Sequence, residues 1–156
     1  MNSSTEPTPR GPLPPVVLVV ALVFMAALHL LVPVTQLFTS PWRVIVGGCP
    51  LGAGIAINLW ADKLFKEKGT SVKPFEPSTA LVTDGPFAFT RHPMYLGMLL
   101  ILAGVALCLG SLSPWLVVPA FVWQITRRFV RPEEAKLEVT FGESYREYKR
   151  RVRRWL

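Results

Sequence analysis

Arg91 and His92 stand directly before Pro93, at the head of a long uncharged run. Upstream of them, Asp84-Gly85-Pro86 forces a turn. Proline suits the first helical position, because its φ is pre-set and a first turn leaves that N–H unpaired anyway. The spacing therefore predicts a helix opening at Pro93, with Met94 to Leu109 reading as a membrane helix. Arg91 and His92 then lie at the mouth of a hydrophobic helix, beside backbone N–H groups without helical partners. Such a place suits an anionic group of a ligand. A basic pair touching lipid headgroups is the alternative. Glu133 and Glu134 follow Pro132, where a helix N-terminus favours acids. Ahead of them come Arg127, Arg128 and Arg131, which topology alone would also place at the end of a membrane helix.

The chain that positions these groups has 156 residues, which bounds it to one domain. It is 51% hydrophobic, and the apolar residues come in uncharged blocks rather than at amphipathic spacing. Four hydrophobic segments are expected, at 15–38, 43–62, 93–109 and 114–130. The fold class is accordingly all-α: an integral membrane helical bundle of about four transmembrane segments with a cytoplasmic amphipathic C-terminal helix. A signal peptide fits the first run poorly, since Arg10 alone precedes it and no small-x-small site follows. Pro33 is expected to kink the first segment and Ser40-Pro41 to make a tight turn after it. Residues 1–14, rich in Ser, Thr and Pro, read as a disordered tail.

Charge sets the orientation. Lys63, Lys66, Lys68, Lys73 and Arg91 lie between the second and third segments, Arg10 precedes the first, and only Arg43 falls in an opposite loop. Every other Lys and Arg lies from Arg127 onward. The positive-inside rule places both termini and the 63–92 loop in the cytoplasm. The net charge of +7 is thus topological, and nucleic-acid binding is a poor reading of it. The 63–92 loop is expected to be ordered and irregular. Residues 131–156 read as two helices divided at Gly142, the second carrying Tyr145, Tyr148 and Val152 on one side and basic residues on the other, as an interfacial helix would. Cys49 and Cys108 lie in apolar runs without metal spacing and read as small buried hydrophobes, so no metal is expected. His29, inside the first segment, is either functional or a neutral histidine bonded to a neighbouring helix. Asp62 marks the cytoplasmic end of the second.

Two blocks carry a family resemblance. Gly85-Pro86-Phe87 with Arg91-His92-Pro93-Met94-Tyr95-Leu96-Gly97 is the first. Glu133-Glu134, Leu137, Phe141-Gly142-Glu143, Tyr145, Tyr148-Lys149 and Val152 form the second. In this order around a hydrophobic hairpin, they resemble the isoprenylcysteine carboxyl methyltransferase and phospholipid methyltransferase superfamily. The resemblance implies methyl transfer from S-adenosylmethionine, bound on the cytoplasmic side, to a lipophilic acceptor such as a prenylcysteine-like carboxylate or a phospholipid amine. It implies cofactor contacts at Arg91, His92, Tyr95, Leu96, Gly97, Glu133 and Glu134. Arg91, His92 and the helix start suit the cofactor carboxylate. Tyr95 offers a ring face and a hydroxyl, Gly97 a close approach for a backbone or the cofactor, and the glutamates a site for ammonium, ribose hydroxyls or a sulfonium. Arg128, and next Arg131, are the catalytic candidates for orienting the acceptor.

Two other classes compete. Sterol reductases share a similar Arg-His-Pro-x-Tyr pattern and use a nicotinamide cofactor, but have many more spans. A membrane scaffold would leave the clustered polar residues unexplained.

Overall fold

The computed structural model describes residues 12–36, 42–69 and 80–156. The tail over 1–11 and the Ser40-Pro41 turn lie outside the described residues, as does 70–79 of the expected loop. Helix α1 spans Pro14–Leu31 and α2 spans Trp42–Glu67. A short 3-10 turn, Gly85–Ala88, leads to α3 at Pro93–Leu109. A second 3-10 turn, Ser113–Leu116, leads to α4 at Val117–Ile125. A π-helical turn over Thr126–Val130 joins α4 to α5, Arg131–Arg151. No strand occurs among the described residues; Gln36 and Ser111 form an isolated bridge.

The boundaries follow local chemistry. α3 begins and ends where Pro93 and the left-handed Gly110 dictate. α1 stops at Leu31, short of the expected 38, because Val32 precedes Pro33 and is driven out of the helical region. Pro33 thus ends the helix instead of kinking it. α2 runs five residues beyond the expected 62, carried by the i,i+4 pairs Asp62–Lys66 at 2.6 Å and Lys63–Glu67 at 3.7 Å. The expected 114–130 segment is a 3-10 turn, nine α-helical residues and a π turn, continuous with the next helix. No breaker separates it from α5, since Pro132 is tolerated in the first turn. Gly142, at φ 53° and ψ −122°, divides α5 as the sequence predicts, in a region that only glycine enters easily.

α1 and α2 are long and apolar enough to cross a membrane. At 18 and 26 residues they extend about 27 and 39 Å. Their outward surfaces leave Leu30, Leu31, Val23, Trp42 and Leu59 exposed, an apolar surface suited to lipid rather than water. The main core joins Val17, Ala21 and Met25 of α1 to Leu102 and Ala106 of α3 and to Phe121 and Ile125 of α4. α2 packs on the opposite face of α3 through glycines seven residues apart in each helix. A Cβ on Gly47 would lie 2.6 Å from the Gly104 carbonyl oxygen, and one on Gly97 would lie 2.8 Å from that of Gly54. Cys49 points away from this seam and is exposed, not buried as expected, while Cys108 is half-buried near Val44.

Polar groups gather at the two ends of the bundle. At one end, the His29 Nδ1 and Ser111 Oγ are 2.7 Å apart, and Ser113 Oγ donates to the Leu28 carbonyl at 3.3 Å. The partner of His29 is therefore the α3–α4 connection. At the other end, Val82 and Phe87 pack on Ala61 of α2, with Phe65 edge-on to Phe87 at 5.1 Å. That second cluster fixes the approach to Pro93.

Candidate functional site

The segment ahead of α3 is held down by α5 and by the residues after it. Tyr148 of α5 donates from its hydroxyl to the Phe87 carbonyl at 2.7 Å. The Arg91 N–H donates to the Arg153 carbonyl at 3.0 Å, and Thr90 Oγ1 to the Arg154 carbonyl at 3.0 Å. Thr90 Oγ1 also accepts from the His92 N–H at 3.3 Å. His92 is consequently buried at the first turn of α3, facing the first turn of α5.

Glu134 meets it there. Its Oε1 lies 3.2 Å from His92 Nε2, 3.0 Å from Arg154 Nε and 3.1 Å from Arg91 Nη1. Its Oε2 accepts from Arg154 Nη2 at 2.7 Å. The side chain is only 8% exposed. Burial opposes its ionisation, but the His92 hydrogen bond, the Arg154 hydrogen bonds and the Arg91 charge outweigh that and hold the carboxyl at about 2. An ionised carboxylate only accepts hydrogen bonds, so His92 Nε2 carries the proton in this pair.

Glu133 is placed differently. Its Oε2 accepts from the Tyr95 hydroxyl at 3.1 Å and stands 3.9 Å from His92 Nδ1, beyond hydrogen-bonding distance. It keeps 30% exposure, and burial raises its affinity for a proton against the opposing pull of His92 and Tyr95. The Tyr95 ring lies nearly parallel to that of His92, with centroids 5.7 Å apart, and next to Phe129. Behind them Tyr145 is fully buried. Burial, then the Glu134 charge, pushes its hydroxyl up to about 12 despite the nearby Arg91. That hydroxyl, Arg91 Nε and Arg91 Nη1 are buried without a hydrogen-bond partner among the described residues, Nη1 meeting Glu134 as an ion pair only.

The structure thus brings together Arg91, His92, Tyr95, Glu133 and Glu134, as the sequence predicts. Leu96 is buried, and its N–H donates to the His92 carbonyl within α3. Gly97 faces α2: a Cβ there would meet the Asn58 side chain and the Gly54 carbonyl. Of the two approaches foreseen for Gly97, backbone or cofactor, the backbone of α2 accounts for it. Arg128 and Arg131 are exposed and form no ion pair among the described residues, while Arg127 lies over the Trp123 ring at 5.2 Å. Arg154 and Thr90 escaped the sequence reading. Arg154 belongs to a basic run that looked interfacial, and nothing in its local pattern marks it as Glu134's partner.

Residues 42–144 match the phospholipid methyltransferase family. Over 72 residues the chain is 36% identical to the protein-S-isoprenylcysteine O-methyltransferase of Schizosaccharomyces pombe, covering 46% of this chain and 30% of that protein. The Mus musculus protein of the same name is 38% identical over 72 residues, with 25% of its length covered. An uncharacterized protein of Haemophilus influenzae is 48% identical over 63 residues, its whole length and 40% of this chain. The alignments with the two named methyltransferases therefore span less than a third of each.

Proposed function

Because the chain belongs to the phospholipid methyltransferase family, we propose that it is a multi-pass membrane methyltransferase moving a methyl group from S-adenosylmethionine to a lipophilic acceptor. The observation that carries the reading is the buried Arg91–His92–Glu134 cluster with the half-open Glu133–Tyr95 pair beside it. All five residues lie within the family match.

The residues fit that cofactor. Arg91 Nε and the Tyr145 hydroxyl are buried donors with capacity left, suited to its carboxylate. Glu133 is the more open member of the acidic pair, half-buried and suited to its ammonium or ribose hydroxyls. The Tyr95 face and the Glu133 charge both favour a sulfonium nearby. Glu134 is engaged by His92 and by both arms of the Arg154 fork and holds its neighbours in place. Bound there, S-adenosylmethionine supplies a methyl group on a positively charged sulfur. An acceptor oxygen or nitrogen would take that methyl by in-line displacement, the carbon–sulfur electron pair staying on sulfur and an amine acceptor giving up its proton to solvent. The in-line displacement needs alignment and dryness above all, and α3, α5 and the closing contacts of Thr90 supply rigidity for both. Arg128, in the π turn, and Arg131, at the start of α5, are exposed cations close in sequence to the Glu133-Glu134 pair, and an anionic acceptor group is the partner proposed for them.

The basic residues after Lys63 and from Arg127 onward put this end of the single membrane domain, with both termini, in the cytoplasm. Titration of the detergent-solubilised protein with S-adenosylhomocysteine and, separately, NADPH tests the reading. Binding raises the melting temperature by mass action. A shift with S-adenosylhomocysteine alone is expected. A shift with NADPH alone, or none at millimolar ligand, refutes it. Mass spectrometry of lipid extracts incubated with methyl-labelled cofactor then identifies the acceptor.

A further inference from the structure

After α5 the chain turns extended at Val152 and crosses back over the head of α3. It is fastened at both residues it passes: the Arg153 carbonyl takes the Arg91 N–H, and the Arg154 carbonyl takes the Thr90 hydroxyl, each at 3.0 Å. Trp155 packs against the main core beyond the crossing. Between these anchors the Arg154 guanidinium grips Glu134 in a two-point fork, Nε to Oε1 and Nη2 to Oε2. Arg154 is 38% exposed while Glu134 is 8% exposed, so the guanidinium covers the carboxylate on its solvent side. None of residues 152–155 lies within the family match over 42–144.

We infer that Arg154 is a positioning residue: residues 152–155 form a strap whose grip on Glu134 fixes the His92 imidazole and the Arg91 guanidinium, and thereby assembles the cofactor site. The chain of contacts is short. Glu134 Oε1 is shared by Arg154, Arg91 and His92, so the rotamer of one carboxylate sets the places of two ligand-facing groups. A carboxylate held at both oxygens has one orientation; held by His92 and Arg91 alone, at a single oxygen, it rotates. Arginine is suited to this as lysine is not, because only the planar fork reaches both oxygens at once. The backbone anchors place the fork beside the first turns of α3 and α5, where Thr90, Arg91 and Glu134 lie. The cofactor part of this inference rests on the function proposed above, and the imidazole part does not.

The test uses Arg154→Gln and Arg154→Lys in the full chain. The protein has two histidines, so the ring-nitrogen NMR spectrum of the labelled protein resolves His92 with His29 as an internal control. In the parent, His92 shows one tautomer, protonated at Nε2. Arg154→Gln is expected to average the two tautomers of His92, leave His29 unchanged, and weaken S-adenosylhomocysteine binding at least tenfold. Arg154→Lys, keeping the charge and one contact, falls between. A lowered melting temperature in either variant, with His92 and the affinity both as in the parent, would mean that Arg154 merely fastens the tail, and overturns the inference. If the parent itself binds no S-adenosylhomocysteine, the cofactor reading fails, and the His92 spectrum of the variants still decides whether the strap positions the imidazole.

Discussion

The two adjacent glutamates are expected to fail in opposite ways when removed. Replacing Glu134 by Ala leaves the Arg91 and Arg154 guanidiniums facing each other without the carboxylate between them, and strips His92 of its Nε2 partner. Depression of the Glu134 carboxyl from its ordinary 4.5 to about 2 corresponds to roughly 3 kcal/mol of folded-state stabilisation at neutral pH. Breaking a buried ion pair by removing one partner independently gives about 3–5 kcal/mol. For a chain of this size, ~3 kcal/mol lowers the melting temperature by roughly 6–12 °C. Glu133→Gln keeps a carbonyl oxygen that can accept from the Tyr95 hydroxyl and removes only the charge, from a side chain that is 30% exposed. Its stability effect is about 1 kcal/mol, but it deletes the charge offered to the cofactor, so affinity falls at least tenfold. Tryptophan-fluorescence melts in detergent and calorimetric titration with S-adenosylhomocysteine read both quantities on both variants. A Glu134→Ala protein that melts with the parent, or a Glu133→Gln protein that melts low and binds normally, would refute the division of labour.

Three further outcomes follow from the same coordinates. The Glu134 contribution is complete above pH 4.5 and is lost as pH falls toward 2, because the group's proton affinity is lower folded than unfolded; Glu133, shifted upward, acts in the opposite sense. The parent's acid denaturation should therefore contain a component between those pH values that Glu134→Gln lacks, and identical acid profiles would contradict the assignment. Gly104→Leu should separate α2 from α3, since even a Cβ there would lie 2.6 Å from the Gly47 carbonyl oxygen; loss of folded protein on size-exclusion chromatography is expected, and a normal melt would refute the glycine seam. Arg128→Lys keeps the topological charge but loses the planar fork, so turnover should fall while cofactor affinity holds; unchanged turnover would pass the acceptor role to Arg131.

Legibility in the sequence tracked how local each determinant is. α3 was readable at both ends because Pro93 and Gly110 act on their own neighbours. The Gly142 break was readable for the same reason. The end of α1 was misplaced because hydropathy continues through Val32 to Phe38 while backbone sterics at Val32-Pro33 do not. Asp62 and Lys63 read as the end of α2 on charge alone, whereas charges spaced at i,i+4 extend a helix and carry it to Glu67. The glycines of α2 and α3 showed as small residues, but which helix each would meet depends on the packing of the bundle.

The same distinction explains the site. Arg91, His92 and Tyr95 lie within one turn of a helix start, and Glu133 and Glu134 within another, so two short motifs name them. What the motifs leave open is how differently the two glutamates are held, and part of that difference is Arg154, twenty residues beyond Glu134. Its approach depends on Gly142 breaking α5, on Tyr148 reaching the Phe87 carbonyl, and on Thr90 and Arg91 catching the backbone after Val152. Each of those contacts joins residues more than sixty positions apart, and each is individually modest. Together they fix one guanidinium, and through it they turn a symmetric-looking Glu-Glu pair into one buried strut and one more open carboxylate. Glu134 already accepts from His92 and twice from Arg154 and meets the Arg91 charge, whereas its neighbour accepts from a single tyrosine hydroxyl. The asymmetry of surroundings between Glu133 and Glu134 is therefore a property of the tertiary fold, carried by the strap rather than by either glutamate.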